Sequence, residues 1–342
     1  MVNNELNKDK VLEVLGTVMD PELGSDLVSL NMISSATVED GIVSVLIELT
    51  VAGCPLKAKI EDDCKTAIRS INGVKDVKIK FTSKPVHDNR EVKLPNIKHI
   101  IAISSGKGGV GKTTAAINIA KAFAKKGYSV GLLDADIYGP NIPLLLDNYS
   151  RPDVMGDEKL VPVEHDGIKF ISVGLLLEPG QPVIWRGPML HNVIKQFLSD
   201  VYWGDLDYLF VDLPPGTGDV QLSLCQLTKI TGTIAVTTPQ KLSVEDVKKG
   251  IAMFRQLRVD VLGIVENMSY YIHPSNNEKI FVFGKDGGKK LAEDWNIPLL
   301  AQIPIDPSIS EKSENGLKYF EAIVDKIKIA IENLQSVNKL QK

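Results

Sequence analysis

The stretch AISSGKGGVGKTTAAINIAKAF, Ala102–Phe123, decides the fold. An apolar run enters a glycine-rich turn, and residues with helical spacing leave it. Within it, Gly106 to Thr113 satisfies G-x-x-x-x-G-K-[ST] between a predicted strand and a predicted helix. Glycines let backbone N–H groups curl round phosphate oxygens, and the helix N-terminus adds its positive end. Lys112 is placed to reach the β- and γ-phosphates, and the Thr113 hydroxyl to ligate Mg²⁺. The nucleotide-binding residues expected here are Gly106, Lys107, Gly108, Gly109, Val110, Gly111, Lys112, Thr113 and Thr114. One lysine is enough to hold a nucleotide, so the second, Lys107, needs another explanation.

Outward from this loop the chain alternates. The apolar runs HIIAISSG, SVGLLDAD, IKFISVG, DYLFVDLPP, TIAVTTP, VLGIVEN and PLLAQIP are separated by helical stretches. Strands this continuously apolar are covered on both faces, which predicts a parallel sheet with helices on either side. Two runs end in aspartates. Asp212 closes DYLFVD, where a Mg²⁺ carboxylate belongs, and Asp134 and Asp136 close SVGLLDAD. Open α/β sheets bind ligands at that edge. Asp136 is the candidate for positioning the attacking water, with Lys112 and Lys107 as its catalytic companions.

Before the alternation lies a different grammar. Residues 8–18 have an amphipathic helical pattern. ISSATVEDGIVSVLIELT reads as a hairpin with Asp40-Gly41 at its turn. AGCPLKAKIEDDCKTAIRSI is helical, and VKDVKIKF is a closing strand. The expected organisation is a small α+β domain over 1–83, a polar linker over 84–96 and an α/β nucleotide-binding domain over 97–342 with a C-terminal helix.

The bulk properties narrow the function. A chain of 342 residues suits about two domains. A formal net charge of −4 argues against a large nucleic-acid surface, which leans on many Lys/Arg–phosphate contacts. No run of about 18 apolar residues is present, so no membrane span is expected. The start lacks the charged-then-apolar layout of a secretion signal. Three widely spaced cysteines fit a reducing compartment, and a cytoplasmic location is expected.

With these residues in view, KGGVGKTT with its early Lys107 resembles the deviant phosphate loop of the ParA/MinD/nitrogenase-iron-protein class of P-loop ATPases. Within that class DADIYGPNIP, WRGPMLHNVIKQFL, WGDLDYLFVDLPPGTGDVQLSLCQL, GIVENMSY and QIPIDPSI look like the Mrp/ApbC family. DPELGSDLVSLNMI and CPLKAKIEDD are similar to the SufT-like assembly domain fused to many bacterial Mrp proteins. The resemblance covers about residues 8–316. It implies a parallel P-loop NTPase sheet and an ATP- and Mg²⁺-dependent homodimer that carries iron–sulfur clusters to apo-proteins. Lys107 matches the lysine that reaches the partner's nucleotide, which would gate hydrolysis by dimer closure. Asn267 matches the adenine contact.

The chain departs from that family at one place. Many Mrp proteins carry C-x-x-C after NMSY, whereas this chain reads YIHPSN, with His273 and Asn276 near the two cysteine positions. A [4Fe–4S] cluster, the expected cargo, is normally held by four cysteines. The bridging site is therefore not carried over. Of the thiols, Cys64 and Cys225 sit in apolar patterns, whereas Gly53-Cys54-Pro55 puts a thiol at a helix start. Helix N-termini favour thiolate, so Cys54 is the iron–sulfur ligand candidate. The competing reading is a ParA/MinD-like positioning switch acting on membrane or a protein partner. Its amphipathic C-terminal helix would be LKYFEAIVDKIKIAIENLQSV, but the mixed-sign polar side of that helix favours packing on its own sheet.

Overall fold

The computed structural model describes residues 6–19, 26–30, 32–49, 57–83, 91–156, 159–177, 187–310 and 314–340. The chain divides into two compact units, Met1–Arg90 and Glu91–Lys342.

The first unit contains α1 (Lys8–Leu15), β1 (Ile33–Glu39), β2 (Ile42–Leu49), α2 (Lys57–Arg69) and β3 (Asp76–Ser83). β1 and β2 pair antiparallel across Asp40 and Gly41, whose φ values of 50° and 83° match the twist of a tight hairpin. β2 and β3 run parallel, so α2 is their crossover. Ile60, Cys64 and Ile68 of α2 join Val11 and Leu15 of α1 on the inner face of the sheet, against Val43, Val45 and Ile47. The first helix is shorter than the 8–18 expected. It stops at Leu15 because Gly16 caps it, and Thr17 turns its hydroxyl back onto the Val14 carbonyl. Val18 remains in the core beyond the helix end, its N–H turned back to the Leu15 carbonyl at 3.1 Å.

The second unit begins with β4 (Ile97–Ser105), α3 (Lys112–Lys125), β5 (Val130–Asp134), α4 (Ile142–Leu146), β6 (Asp153–Met155), β7 (Lys159–Val161), β8 (Val163–His165) and β9 (Ile168–Ser172). It continues through α5 (Gly187–Ser199), β10 (Leu206–Asp212), α6 (Asp219–Leu227), β11 (Gly232–Thr237), α7 (Lys241–Gln256) and β12 (Val261–Glu266). It ends with β13 (Tyr271–Ile272), β14 (Lys279–Ile280), α8 (Gly287–Trp295), β15 (Leu299–Gln302), α9 (Pro307–Ser310) and α10 (Glu314–Leu340).

Eight strands form one sheet in the order β15-β12-β11-β4-β10-β5-β9-β8. All neighbours are parallel except β8, which pairs antiparallel with β9 at the edge. Every one of the seven apolar runs is a strand of this sheet. β8 was not anticipated, since three half-polar residues carry no apolar run. Alternate residues of β4 feed opposite faces. Ile101 and Ile103 pack with α3 and α10, whereas Ile100 and Ala102 pack with α5 and α6. Residues Val92 and Leu94, at the end of the stretch read as a linker, pack on this second face, and the Val92 N–H donates to the Leu227 carbonyl.

α10 is core. Phe320, Ile323, Val324, Ile327 and Ile331 are buried with α3 and the sheet. Its polar side pairs with α3 through Lys125–Glu321 at 3.0 Å and Lys126–Asp325 at 2.7 Å. Among the described residues no helix is long and apolar enough to cross a membrane. Ile327→Ala is expected to destabilise the second unit by about 2–5 kcal/mol, and the exposed Ile329→Ala by less than about 0.5 kcal/mol. Denaturant unfolding followed by tryptophan fluorescence checks this, because Trp185, Trp203 and Trp295 all belong to that unit. Equal effects of the two substitutions would remove α10 from the core.

Candidate nucleotide site

β4 ends at Ser105 in the middle of the sheet, and α3 starts at Lys112. The turn between them is held from below at two glycines. A Cβ on Gly106 would overlap the Asp246–Val247 backbone of α7. Gly111 has φ of 79°, and a Cβ there would overlap the Asn267 amide. At Gly108 and Gly109 a Cβ would meet nothing within 4 Å, so the crest of the loop faces open space. Val110 is buried in the core and anchors the loop from inside.

The strands beside β4 bring the acidic groups in. β10 lies between β4 and β5, and its register sets Asp212 opposite both Ile103 and Asp134. Asp212 is 0% exposed and Lys112 only 6%. The Lys112 ammonium donates to Asp212 Oδ1 at 2.8 Å and lies 3.5 Å from Asp136 Oδ2. The Thr113 hydroxyl donates to Asp212 Oδ2 at 2.7 Å. Four of the residues nominated from sequence, Lys112, Thr113, Asp136 and Asp212, therefore meet in one buried cluster.

The cluster holds more acid than base. Burial raises the carboxyls of Asp136 and Asp212, opposed in both by Lys112. Asp134 stands behind them, accepting from Ser172 Oγ at 2.8 Å, from the Ile142 N–H at 3.2 Å and from the Asp136 N–H at 3.3 Å. Burial, with the Asp212 charge next, pushes its carboxyl up to about 8 despite those bonds. Asp134 is thus the anchor of the Asp136 loop. Ser172, which the sequence reading did not single out, is the hydroxyl that holds it.

Three other nominated residues are placed elsewhere. The Lys107 ammonium lies 3.4 Å from Gln240 Oε1, away from the carboxylate cluster, while Ser105 Oγ donates to the Lys107 carbonyl at 3.1 Å. Thr114 follows in the first turn of α3, its carbonyl accepting from Asn118. Asn267 is buried beneath the loop and donates to the Val110 carbonyl at 2.9 Å. Its own N–H donates to the Thr237 carbonyl at 2.7 Å, and the adjacent Glu266 is a buried carboxylate that accepts from Ser269 Oγ, Gln302 Nε2 and the Gly288 N–H at the start of α8. A lone Glu at a strand end offered no sequence signal of that hydrogen-bonded hub.

His273 and Asn276 lie in the turn between β13 and β14. The Ser275 N–H donates to His273 Nδ1 at 3.3 Å, and Asn276 Nδ2 donates to Glu278 Oε2 at 3.2 Å. These bonds shape a polar turn. Among the described residues no group of three His, Cys, Asp or Glu side chains is arranged to hold a metal ion. Cys64 is fully buried, with its thiol pushed up to about 12, and Cys225 is half-buried, pushed up to about 11. Cys54 lies outside the described residues.

Because Asp134 is neutral in the fold over a range where the unfolded chain is ionised, its contribution to stability is lost as pH rises from about 4 to about 8. Asp134→Asn removes that titration. In EDTA, the stability of the native chain relative to the Asn variant is expected to fall across that window, measured by denaturant unfolding. A constant difference would place Asp134 among ordinary carboxylates.

Two family models match the chain. One, described as the NUBPL iron-transfer P-loop NTPase, covers residues 96–339, and the other, an iron–sulfur cluster assembly protein, covers 8–81. The iron–sulfur cluster carrier protein of Synechocystis sp. is 48% identical over 322 residues, spanning 91% of each chain. That of Deinococcus radiodurans is 47% identical over 309 residues, 90% of this chain and 87% of the relative. Among solved structures, a nucleotide-binding protein from Archaeoglobus fulgidus in complex with ADP is 39% identical, with a TM-score of 0.59 over 68% of this chain and 92% of that one. The chain belongs to the iron-transfer P-loop NTPase family, that of the iron–sulfur cluster carrier proteins, and carries the cluster-assembly domain at its N-terminal end.

Proposed function

We propose that this protein is an ATP-dependent carrier that binds iron–sulfur clusters, of [4Fe–4S] type, and passes them to apo-proteins, with hydrolysis gated by closure of a homodimer. The observation that carries the reading is the buried Lys112–Asp212–Thr113 constellation at the head of the sheet, in a chain of the cluster-carrier family.

The donor set fits Mg²⁺, since the Thr113 hydroxyl and the Asp212 carboxylate are hard oxygen ligands already side by side. Mg²⁺, when bound, offsets the charge on the β- and γ-phosphate oxygens. Lys112 leaves its carboxylates to meet the phosphates, and the loop from Gly106 to Thr114, open at its Gly108–Gly109 crest, offers backbone N–H groups to them. Asp136, raised by burial and restrained by Asp134, positions the water whose oxygen bonds the γ-phosphorus of ATP as the bond to the β–γ bridging oxygen breaks, leaving ADP and inorganic phosphate. Asn267, fixed under the loop, is the proposed contact to the adenine edge.

Lys107 has no part in its own chain's carboxylate cluster, and its long contact to Gln240 is weak. A half-buried cation held by one long contact suits a partner's nucleotide. It stabilises charge in the transition state only when two subunits face each other, which makes hydrolysis a report on dimer closure. The cargo needs thiolates. Cys64 and Cys225 are held in the thiol form by burial, which leaves Cys54 as the proposed ligand, one from each subunit.

Lys107→Ala is expected to lower ATP turnover by about 10²-fold or more while leaving ADP affinity nearly unchanged. Steady-state hydrolysis and fluorescent-nucleotide titration check this, and unchanged turnover would sink the trans-acting role. Cys54→Ser should lower the iron bound after anaerobic reconstitution and the amount passed to an apo-acceptor. Equal loading and transfer by the two proteins would rule Cys54 out.

A further inference from the structure

The loop that follows Asp212, residues 213–218, reads LPPGTG. Two consecutive prolines remove two backbone donors; Pro214 is buried with its carbonyl turned inward, Pro215 is exposed and Gly216 half-buried. One side chain meets the shortage. Gln221, in the first turn of α6 and fully buried, donates through Nε2 to the Pro214 carbonyl at 2.8 Å and to the Gly216 carbonyl at 3.0 Å. Its Oε1 accepts from the Gly218 N–H at 3.0 Å. Both amide hydrogens and the carbonyl are thus engaged, and all three bonds go to the same short loop.

The loop so clamped is tied to the phosphate loop. The Leu213 N–H donates to the Ile103 carbonyl at 3.1 Å, and the Gly216 N–H to the Ser105 carbonyl at 2.8 Å. Ser105 in turn bonds the Lys107 carbonyl. On its other side the loop walls a cavity of about 550 Å³, where Pro214, Pro215 and Gly218 face Asp136, Gly139 and Asn141. Gln221 therefore sets the distance between that wall and the carboxylate assigned to the attacking water. It does so without touching the phosphate loop's open crest.

We propose that Gln221 is a positioning residue for hydrolysis: its three hydrogen bonds hold residues 213–218 in one register against the base of the phosphate loop and fix the wall of the Asp136 cavity. The inference rests on the ATPase reading above. A residue that only stabilises the fold would change melting with turnover untouched. A residue that shapes the nucleotide cradle would weaken binding. A positioning residue lowers kcat and leaves KM and ADP affinity in place.

Two variants of the full-length protein test it. Gln221→Met keeps the length and the apolar body of the side chain and removes all three bonds. Gln221→Glu sets a carboxylate against the Pro214 and Gly216 carbonyls. In both, kcat for ATP should fall by about 10²-fold, as displacement of a catalytic wall by about 1 Å does. KM and the affinity for fluorescent ADP should stay within about twofold. In the nucleotide-free protein the Gly216 and Gly218 amides should exchange with deuterium faster than in the native chain. Unchanged kcat with normal exchange, or ADP affinity falling as far as kcat, would overturn the proposal. If the native protein does not hydrolyse ATP, the ATPase reading fails first. The exchange of Gly216 and Gly218 then decides the clamp by itself, and unaltered protection in Gln221→Met rejects it.

Discussion

Everything at the head of the sheet depends on one buried ammonium. Lys112 is almost fully enclosed, and an unpaired charge there would cost several kcal/mol. The sheet supplies the answer by its order. β10 sits beside β4, so the strand carrying Asp212 ends next to the helix start carrying Lys112. β5 follows on the far side of β10 and delivers Asp134 and Asp136. The parallel arrangement puts all of these carboxyl ends on one edge, and the phosphate loop with them. Strand order, more than any single contact, assembles the site.

The same pairing bears on the proposed nucleotide response. Lys112 and Thr113 both spend their hydrogen bonds on Asp212. In the proposed function those are the groups that a phosphate and a hard cation would compete for, so nucleotide binding would redistribute a buried ion pair. Residues 213–218 follow Asp212 immediately and are bound to the base of the phosphate loop through Ser105. Those residues are held to α6 by the three Gln221 bonds, so Asp212, the phosphate loop and the start of α6 form one hydrogen-bonded chain.

The sequence was most legible where chemistry is local. The glycine-lysine-threonine spacing specified the loop, and seven apolar runs specified seven parallel strands, because burial on both faces leaves a continuous apolar signature. Asp136 and Asp212 were readable as strand-end carboxylates for the same reason. What stayed hidden lies far apart along the chain. The Lys107–Gln240 contact spans 133 residues and the Asn267–Val110 bond 157, and neither has a pattern in one dimension. The antiparallel β8, a three-residue strand with a half-polar pattern, was missed, and α1 ended earlier than its amphipathic pattern because Gly16 and Thr17 close it. Gln221 stands in the run DVQLSLCQL with no pattern to show that its amide would bind Pro214, Gly216 and Gly218. The missing cysteine pair at His273 and Asn276 was visible from the start, and the structure shows a hydrogen-bonded polar turn there.

That turn moves the question of cargo to the N-terminal unit and to what ATP does for it. The most direct measurement is the rate at which anaerobically reconstituted protein passes its cluster to an apo-acceptor, followed by visible and Mössbauer spectroscopy with and without Mg-ATP. The account predicts a cluster-loaded protein whose transfer rate changes when ATP is added and returns to its basal value with a non-hydrolysable analogue. Identical rates in all three conditions, or a protein that retains no iron, would contradict it.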